Sequence, residues 1–150
     1  MTIPTEAGAL TEYIIKTYHD KHRIDLPILL EGSRELEKTK GDTFPKELTS
    51  LLDEVFFTVE SHLAKEENIL FPMIRDGIRG AMLGGPISVM MSEHEALDGL
   101  LEAITSSTND FQSDDSEIQN LYGKIVQFKD ELTEHAHLED NTLFPSVLQQ

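Results

Sequence analysis

A histidine followed four residues later by a glutamate occurs twice in this sequence, within two similar segments. The segments are His62-Leu-Ala-Lys-Glu-Glu-Asn-Ile-Leu-Phe-Pro72 and, 73 residues later, His135-Ala-His-Leu-Glu-Asp-Asn-Thr-Leu-Phe-Pro145, with six of eleven positions identical. Imidazole nitrogen and carboxylate oxygen are both metal ligands. On a helix, residues four apart share one face about 6 Å apart along the axis. Two such helices packed face to face would bring two imidazoles and two carboxylates to one spot.

The sequence around the two motifs predicts long amphipathic helices that place them in the interior. We expect the second and fourth helices, over about residues 45–71 and from Ser116 onward, to carry the motifs on apolar seams with alternating spacings of four and three. The second seam is Leu48, Leu52, Val55, Val59, His62, Glu66 and Ile69. The fourth is Leu121, Ile125, Phe128, Leu132, His135, Glu139 and Thr142.

The first and third helices are predicted from the same periodicity. The first, over about residues 10–40, has apolar or ring residues at Ile15, His19, His22, Leu26, Leu29 and Leu36. We expect it to bend near residues 23–26, because Pro27 removes one backbone hydrogen bond. The third, over about residues 86–105, has Ile87, Met90, Met91, His94, Leu97, Leu101 and Ile104 on its inward side.

Four amphipathic helices with short connections, and no strand-like alternation, predict an all-α fold, an antiparallel up-down-up-down four-helix bundle. A chain of 150 residues with 39% hydrophobic content is expected to form a single domain over residues 1–150.

Each predicted helix has a candidate ligand histidine on its core face, and these are His19, His62, His94 and His135. A lone buried histidine is commonly a hydrogen-bonded core residue, and internal ion pairs are an alternative explanation for the buried glutamates. However, no lysine or arginine falls on the second or fourth seam. Burying an unpaired carboxylate costs several kcal/mol, so the cluster favours a bound metal. Without a cation, repulsion should favour protonation of Glu66 or Glu139.

Ligand counting predicts two metal ions. Four imidazoles and two bridging carboxylates would give each ion four protein bonds, and six-coordinate ions would keep two further positions. One position can hold a shared oxide or hydroxide, and the other dioxygen, nitric oxide or water. Imidazole and carboxylate suit iron, zinc and manganese, so the ligand types leave the metal open.

The composition limits the other functions. There is no cysteine, which excludes thiolate ligands, disulfides and a cysteine nucleophile. With 28 acidic and 12 basic residues, the net charge of −16 disfavours nucleic acid as a partner. Neither a targeting segment nor 18 consecutive apolar residues are found, so we expect a cytoplasmic protein without a membrane partner.

These residues resemble the hemerythrin-like (HHE) domain and, within it, the di-iron family for repair of iron centres (RIC family). The closest similarity lies in Tyr18-His-Asp-Lys-His-Arg23 with Leu26-Pro27, in His62 to Met73, in Gly85 to His94 and in Leu138 to Pro145. The resemblance implies two non-haem irons bridged by Glu66, Glu139 and an oxo or hydroxo group. It also implies repair of iron-sulfur clusters, or iron delivery to a client protein, under nitrosative or oxidative stress. The alternative is a module that binds or senses dioxygen or nitric oxide.

Some positions depart from that family or lie beside the expected ligands. Full-length family members have a short N-terminal domain with adjacent cysteines, which this sequence lacks, and a further histidine where Lys40 stands here. Asp98, four residues after His94, and His137 are extra candidate ligands, whereas His22 and Glu67 are expected outside the coordination shell. We assign the metal to His19, His62, Glu66, His94, His135 and Glu139, and we assign no catalytic or organic-cofactor residue.

Overall fold

The computed structural model describes residues 2–149 and contains four long helical rods. Rod α1 covers residues 7–40 and comprises the α-helix Ala7–Ile14, the π-helical segment Ile15–His19 and the α-helix Asp20–Lys40. Rod α2 covers residues 48–75 and comprises Leu48–Lys65, the π-helical segment Glu66–Leu70, and Phe71–Arg75. Rod α3 is the α-helix Gly84–Ser107. Rod α4 covers residues 116–148 and comprises Ser116–Leu138, the π-helical segment Glu139–Leu143, and Phe144–Leu148.

The rods form the predicted four-helix bundle. Rod α1 packs against α2 and α4, and α3 packs against α2 and α4 in turn. Short 3-10 turns at Gly41–Thr43 and Gly80–Leu83 lie in the first two connections. No strand occurs in residues 2–149, so the all-α expectation is confirmed. Within the same residues, the helices are all too short or too polar to cross a membrane.

Polar contacts join the C-terminal end of α1 to the N-terminal end of α4. The Asp115 carboxylate accepts hydrogen bonds from the backbone N–H of Glu117 and Ile118 at 2.9 and 3.1 Å and thereby caps α4. The Lys40 ammonium, at the end of α1, lies 3.0 Å from Asp115 and 2.8 Å from Glu117. Lys40 therefore fixes the end of one rod to the start of another, away from the histidines.

The buried apolar side chains form two clusters. The larger cluster lies toward the loop 108–115 and contains Leu26, Leu29, Leu30, Phe44, Leu48, Leu52, Val55, Val59, Leu63, Leu97, Leu101, Ile104, Phe111, Ile118, Leu121, Tyr122, Ile125, Phe128 and Leu132. The smaller cluster contains Leu10, Ile14, Tyr18, Leu70, Phe71, Ile74, Leu83, Ile87, Met90, Leu143, Phe144 and Val147. Along every rod, the predicted metal-binding residues fall between the two clusters.

The buried faces of α2 and α4 differ from the predicted seams at the π-helical segments. Ile69 was expected in the core but is 54% exposed, whereas Leu70 is 1% exposed. In α4 the predicted Thr142 is exposed and Leu143 is buried. A π turn accommodates one extra residue, so the buried face advances by one position beyond each glutamate.

The other two rods show smaller differences from the predicted seams. In α1 the buried residue is Ile14 rather than Ile15, and in α3 Met91 is 43% exposed while Met90 is buried. The α-helix Asp20–Lys40 continues through Pro27. A π-helical segment lies upstream of Pro27 at Ile15–His19 and ends at the buried His19, and the bend near residues 23–26 stays a prediction.

Candidate metal centre

A layer of polar side chains separates the two apolar clusters. Each member is at most 5% exposed, and the members are His19, His22, His62, Glu66, His94, His135 and Glu139. All six predicted metal ligands therefore converge in the core. The π-helical segments lie at this layer, because one ends at His19 and the other two begin at Glu66 and Glu139. They allow the glutamates to point inward while the following helical turn still buries its apolar face.

The six side chains form two groups, each able to hold a metal ion. In both groups the potential ligand atoms lie within 4.8 Å of one another. His19 on α1 and His135 on α4 define one group, which we call the α1/α4 position. His62 on α2 and His94 on α3 define the other, the α2/α3 position. Glu66 and Glu139 belong to both groups.

Glu66 turns one carboxylate oxygen toward each position. Its Oε1 lies 3.0 Å from His19 Nε2 and 3.4 Å from His135 Nε2, whereas its Oε2 lies 3.4 Å from His62 Nε2. Glu139 does the same, since its Oε2 is 2.8 Å from His135 Nε2 and its Oε1 is 3.0 Å from His94 Nε2. Both carboxylates thus have the arrangement that bridging two metal ions requires.

Carboxylates hold the outer nitrogens of three of the histidines. The Nδ1 contacts are His19 to Glu67 at 2.7 Å, His62 to Glu93 at 2.8 Å and His94 to Asp140 at 2.9 Å. A carboxylate accepts a hydrogen bond from Nδ1–H, so in the neutral, metal-binding form of each ring the lone pair is on Nε2 and is directed into the layer. Such outer contacts fix the tautomer and ring orientation of a metal-binding histidine and raise its basicity.

His135 has a different outer partner. Its Nδ1 lies 3.2 Å from Nε2 of His22, which is fully buried. The His22 ring stacks on His135 with centroids 5.3 Å apart and meets Phe128 edge-on at 5.3 Å. Burial, together with the charge on His135, lowers the pKa of His22 to about 2. His22 is therefore a neutral imidazole, and its Nδ1 has no hydrogen-bond partner among the described residues.

The two positions also differ in how far the protein satisfies its own polar atoms. At the α1/α4 position, His19 hydrogen bonds Glu66 and His135 hydrogen bonds Glu139, contacts that need a proton on Nε2. At the α2/α3 position, four buried atoms have no hydrogen-bond partner in the described chain, namely His62 Nε2, His94 Nε2, Glu66 Oε2 and Glu139 Oε1. Unpartnered buried atoms are costly, and two nitrogens with two carboxylate oxygens suit a divalent metal. The residues therefore fit a metal ion.

The ionisation of the layer bears on the expectation based on carboxylate repulsion. Burial raises the pKa of Glu66, but the surrounding histidines, His135, His19 and His62, outweigh it and hold the pKa well below its ordinary value. Glu66 itself is therefore ionised, and the expectation that at least one of the two glutamates is protonated stays a prediction. Burial lowers the pKa values of His62 and His135, but the nearby glutamates prevail and raise them to about 9 and about 10.

Other candidate residues lie outside the two groups. His137 is exposed and contacts Asn141, and Asp98 is exposed but lines a small cavity beside His62 and His94. His22 and Glu67 lie outside the ligand set, as expected. Glu93 and the role of Asp140 were missed, although Asp140 occupies the same place in its motif as Glu67. Glu93 precedes His94 directly, and only the packing of α3 against α2 shows that its carboxylate reaches His62.

Comparison with known proteins agrees with this geometry. Residues 11–147 match the hemerythrin HHE cation binding domain. The chain belongs to this family. The HHE match covers all four rods and all six residues of the two groups. A cation-binding function is thus shared by the family, and the paired His/Glu groups are where this chain can bind one.

Named relatives within the HHE family are similar over nearly the whole chain. The iron-sulfur cluster repair protein YtfE of Dickeya chrysanthemi is 41% identical over 146 residues, which cover 94% of this chain and 66% of the relative. YtfE of Escherichia coli O1:K1 is 40% identical over 144 residues, which cover 93% of this chain and 65% of the relative. Escherichia fergusonii YtfE shows the same 40% identity. The chain spans about two thirds of the length of these relatives.

Proposed function

We propose that this chain is a single non-haem di-iron domain over residues 1–150 that delivers iron to damaged iron-sulfur centres. The ligands would be His19 and His135 at one position, His62 and His94 at the other, and Glu66 and Glu139 between them. The observation that carries the proposal is the pair of shared carboxylates, each with one oxygen facing each position.

Iron is proposed from two considerations. The nitrogen and oxygen ligand set suits iron, zinc or manganese equally, so zinc or manganese can occupy the site in a given preparation. The relatives are named as iron-sulfur cluster repair proteins, and this favours iron. Bound iron would supply reversible redox chemistry and open coordination positions, while the protein holds each imidazole in a fixed tautomer through Glu67, Glu93 and Asp140.

Delivery of iron requires a site that can release it. Only four imidazoles would hold the two ions, and the two carboxylates would be able to let one ion leave while they keep the other. The absence of cysteine from the sequence leaves histidine and carboxylate as the groups that pass the metal on. The client would be an iron-sulfur protein whose cluster has been damaged by nitrosative or oxidative stress.

The test is reactivation of a dehydratase whose iron-sulfur cluster has lost iron. The reduced, iron-loaded protein should restore more activity than an equal amount of free ferrous iron. His135→Ala should lose this advantage because one position loses a ligand. His137→Ala is the matched control, since His137 lies on the same helix but is exposed and bonded to Asn141. Reactivation no better than free iron, with wild type and His135→Ala alike, would contradict delivery.

A second candidate function is binding of dioxygen or nitric oxide. A cavity of about 10 Å³ lies beside the α2/α3 position and is lined by His62, His94, Leu97, Asp98, Leu132, His135 and Ala136. This volume holds about one water-sized molecule. Asp98 stands at the rim, so Asp98→Ala should change nitric oxide or azide affinity, whereas Glu102→Ala, one turn further along α3, should not. A stable, reversible gas adduct without iron delivery would make this the main function.

A further inference from the structure

We propose that the two metal positions are unequal and that the α1/α4 position releases its ion first. The inference rests on the proposed di-metal function and adds an order to metal release. The ion between His62 and His94 would stay with the protein, while the ion between His19 and His135 would be the one transferred.

The first observation is the kind of group that contacts each outer nitrogen. At the α2/α3 position these groups are Glu93, which pairs with Lys65, and Asp140, with which no lysine or arginine in residues 2–149 forms an ion pair. Both outer nitrogens of this position therefore contact a carboxylate. A carboxylate behind a metal-bound imidazole raises its basicity and strengthens the metal bond.

At the α1/α4 position only one of the two outer nitrogens contacts a carboxylate. Glu67 holds His19 Nδ1 at 2.7 Å and shares its oxygen with Arg23 at 2.6 Å, and Arg23 also contacts Glu60 at 3.3 Å. His135 has only His22 behind it. When His135 binds metal through Nε2, its Nδ1–H must donate to His22 Nε2, so His22 keeps its own hydrogen on Nδ1 and is neutral. His135 is thus the one metal-facing histidine without a carboxylate partner at its outer nitrogen.

The second observation is independent of the outer groups. The ligand atoms of the α1/α4 position already form two hydrogen bonds with each other, His19 to Glu66 and His135 to Glu139. Protein contacts can therefore replace the metal there. All four ligand atoms of the α2/α3 position lack hydrogen-bond partners within the described residues, although His94 Nε2 is only 3.0 Å from Glu139 Oε1. Removing an ion from that position leaves buried groups unsatisfied, which costs more.

The α1/α4 position also adjoins a cleft at the surface. His22 lines this cleft of about 260 Å³ together with Tyr13, Thr17, Tyr18, Lys21, Glu131 and Glu134. The rings of His22 and Tyr18 lie between His135 and the cleft, since Tyr18 lines the cleft and stacks on His135 with centroids 5.5 Å apart. An acceptor or chelator can therefore approach the weaker position from outside the bundle.

The test follows metal loss and identifies the emptied position. Wild-type protein loaded with ferrous iron should release iron to a colorimetric chelator in two phases of one ion each. Crystals of protein collected after the first phase should give one anomalous iron peak, between His62 and His94. A remaining peak between His19 and His135, or two peaks of equal height, would overturn the inference.

Matched variants test the cause of the difference. His22→Glu places a carboxylate behind His135 and should slow the fast phase by about 10- to 100-fold, the usual effect of such a partner. His22→Gln, of the same length but neutral, should leave the fast phase fast. Asp140→Asn keeps the shape behind His94 but removes the charge, and it should accelerate the slow phase by a similar factor. Unchanged rates in both His22→Glu and Asp140→Asn would contradict the role of the outer charges.

The outcomes separate this inference from the function on which it rests. Protein that binds no iron at these residues refutes the di-iron proposal. Protein that binds two ions and delivers them, but releases both at one rate or in the opposite order, refutes only the inequality of the positions.

Discussion

The larger apolar cluster and the polar layer are both buried in the same four rods, but they are satisfied in different ways. In the cluster, leucine, valine, isoleucine and aromatic side chains contact each other and need no further partner. In the layer, four metal-facing atoms have no hydrogen-bond partner among the described residues. The apolar cluster is satisfied by protein contacts alone, whereas the four unpartnered atoms of the layer are placed to contact a cation.

This difference indicates that folding and metal binding are separable to a large extent. The apolar cluster spans the half of the bundle near the loop 108–115 and includes residues from all four rods. It can hold the rods in place before a metal arrives. The layer then gains its stability from the bound ions, since binding to the folded state alone adds to the free energy of unfolding.

Removal of metal should have the largest effect on the layer. We expect the chelated protein to remain helical but to lose at least about 4 kcal/mol of unfolding free energy, the gain expected when free metal exceeds its Kd about 1,000-fold. Urea unfolding followed by circular dichroism, with and without ferrous iron, measures it. Equal unfolding midpoints in both states would show that the layer does not depend on a cation.

A truncation in the apolar cluster should show the opposite pattern. Leu52→Ala removes a side chain that is 1% exposed and should lower the unfolding free energy by about 2 to 5 kcal/mol. The metal count per chain should stay at the wild-type value. Loss of metal in Leu52→Ala at temperatures where the variant is folded would show that the two regions are coupled.

The third expected effect is the pH dependence of the metal-free protein, which should come from the layer. The folded-state pKa values of His62 and His135 lie at about 9 and about 10, above the ordinary value of 6.5, because nearby glutamates outweigh burial. Their protonation contributes stability that is complete below pH 6.5 and is lost as the pH rises through 9 and 10.

At the acid end the sign is reversed for Glu66. Its pKa is held below the ordinary value of 4.5, so its contribution is present above that value and is lost as the pH falls.

Because His62 and His135 lose their protons at alkaline pH, thermal unfolding of chelated protein from pH 5 to 10 should show declining stability above about pH 7. The iron-loaded protein should lack this decline, because metal-bound imidazoles do not titrate there. Identical alkaline profiles for both forms would count against buried histidine–glutamate pairs.

Much of the fold and the six candidate ligands could be predicted from the sequence. The apolar seams and the repeated His-x-x-x-Glu motif placed His62, Glu66, His135 and Glu139 on core faces, because helical periodicity is a local property. The register beyond each glutamate could not be predicted. Ile69 fits an ideal 3.6-residue repeat, but the π-helical segment Glu66–Leu70 changes the local period and exposes it.

The contacts behind the histidines were only partly visible in the sequence. Glu67 and Asp140 share a place in the repeat, but their targets, His19 and His94, lie on other rods. No local pattern shows that a second histidine lies behind His135. Such pairs depend on how α1 and α4 face each other, which the spacing of residues within one helix does not determine.

The most direct test of the paired metal positions is the number of irons bound per folded chain. Native mass spectrometry of protein reconstituted with ferrous iron should show two irons in the wild type and in the His137→Ala control, as the two shared-carboxylate groups require. Glu139→Ala and His62→Ala should each bind at most one, because Glu139 faces both positions and His62 holds one of them. Two irons in both variants would contradict the assignment of these residues as ligands.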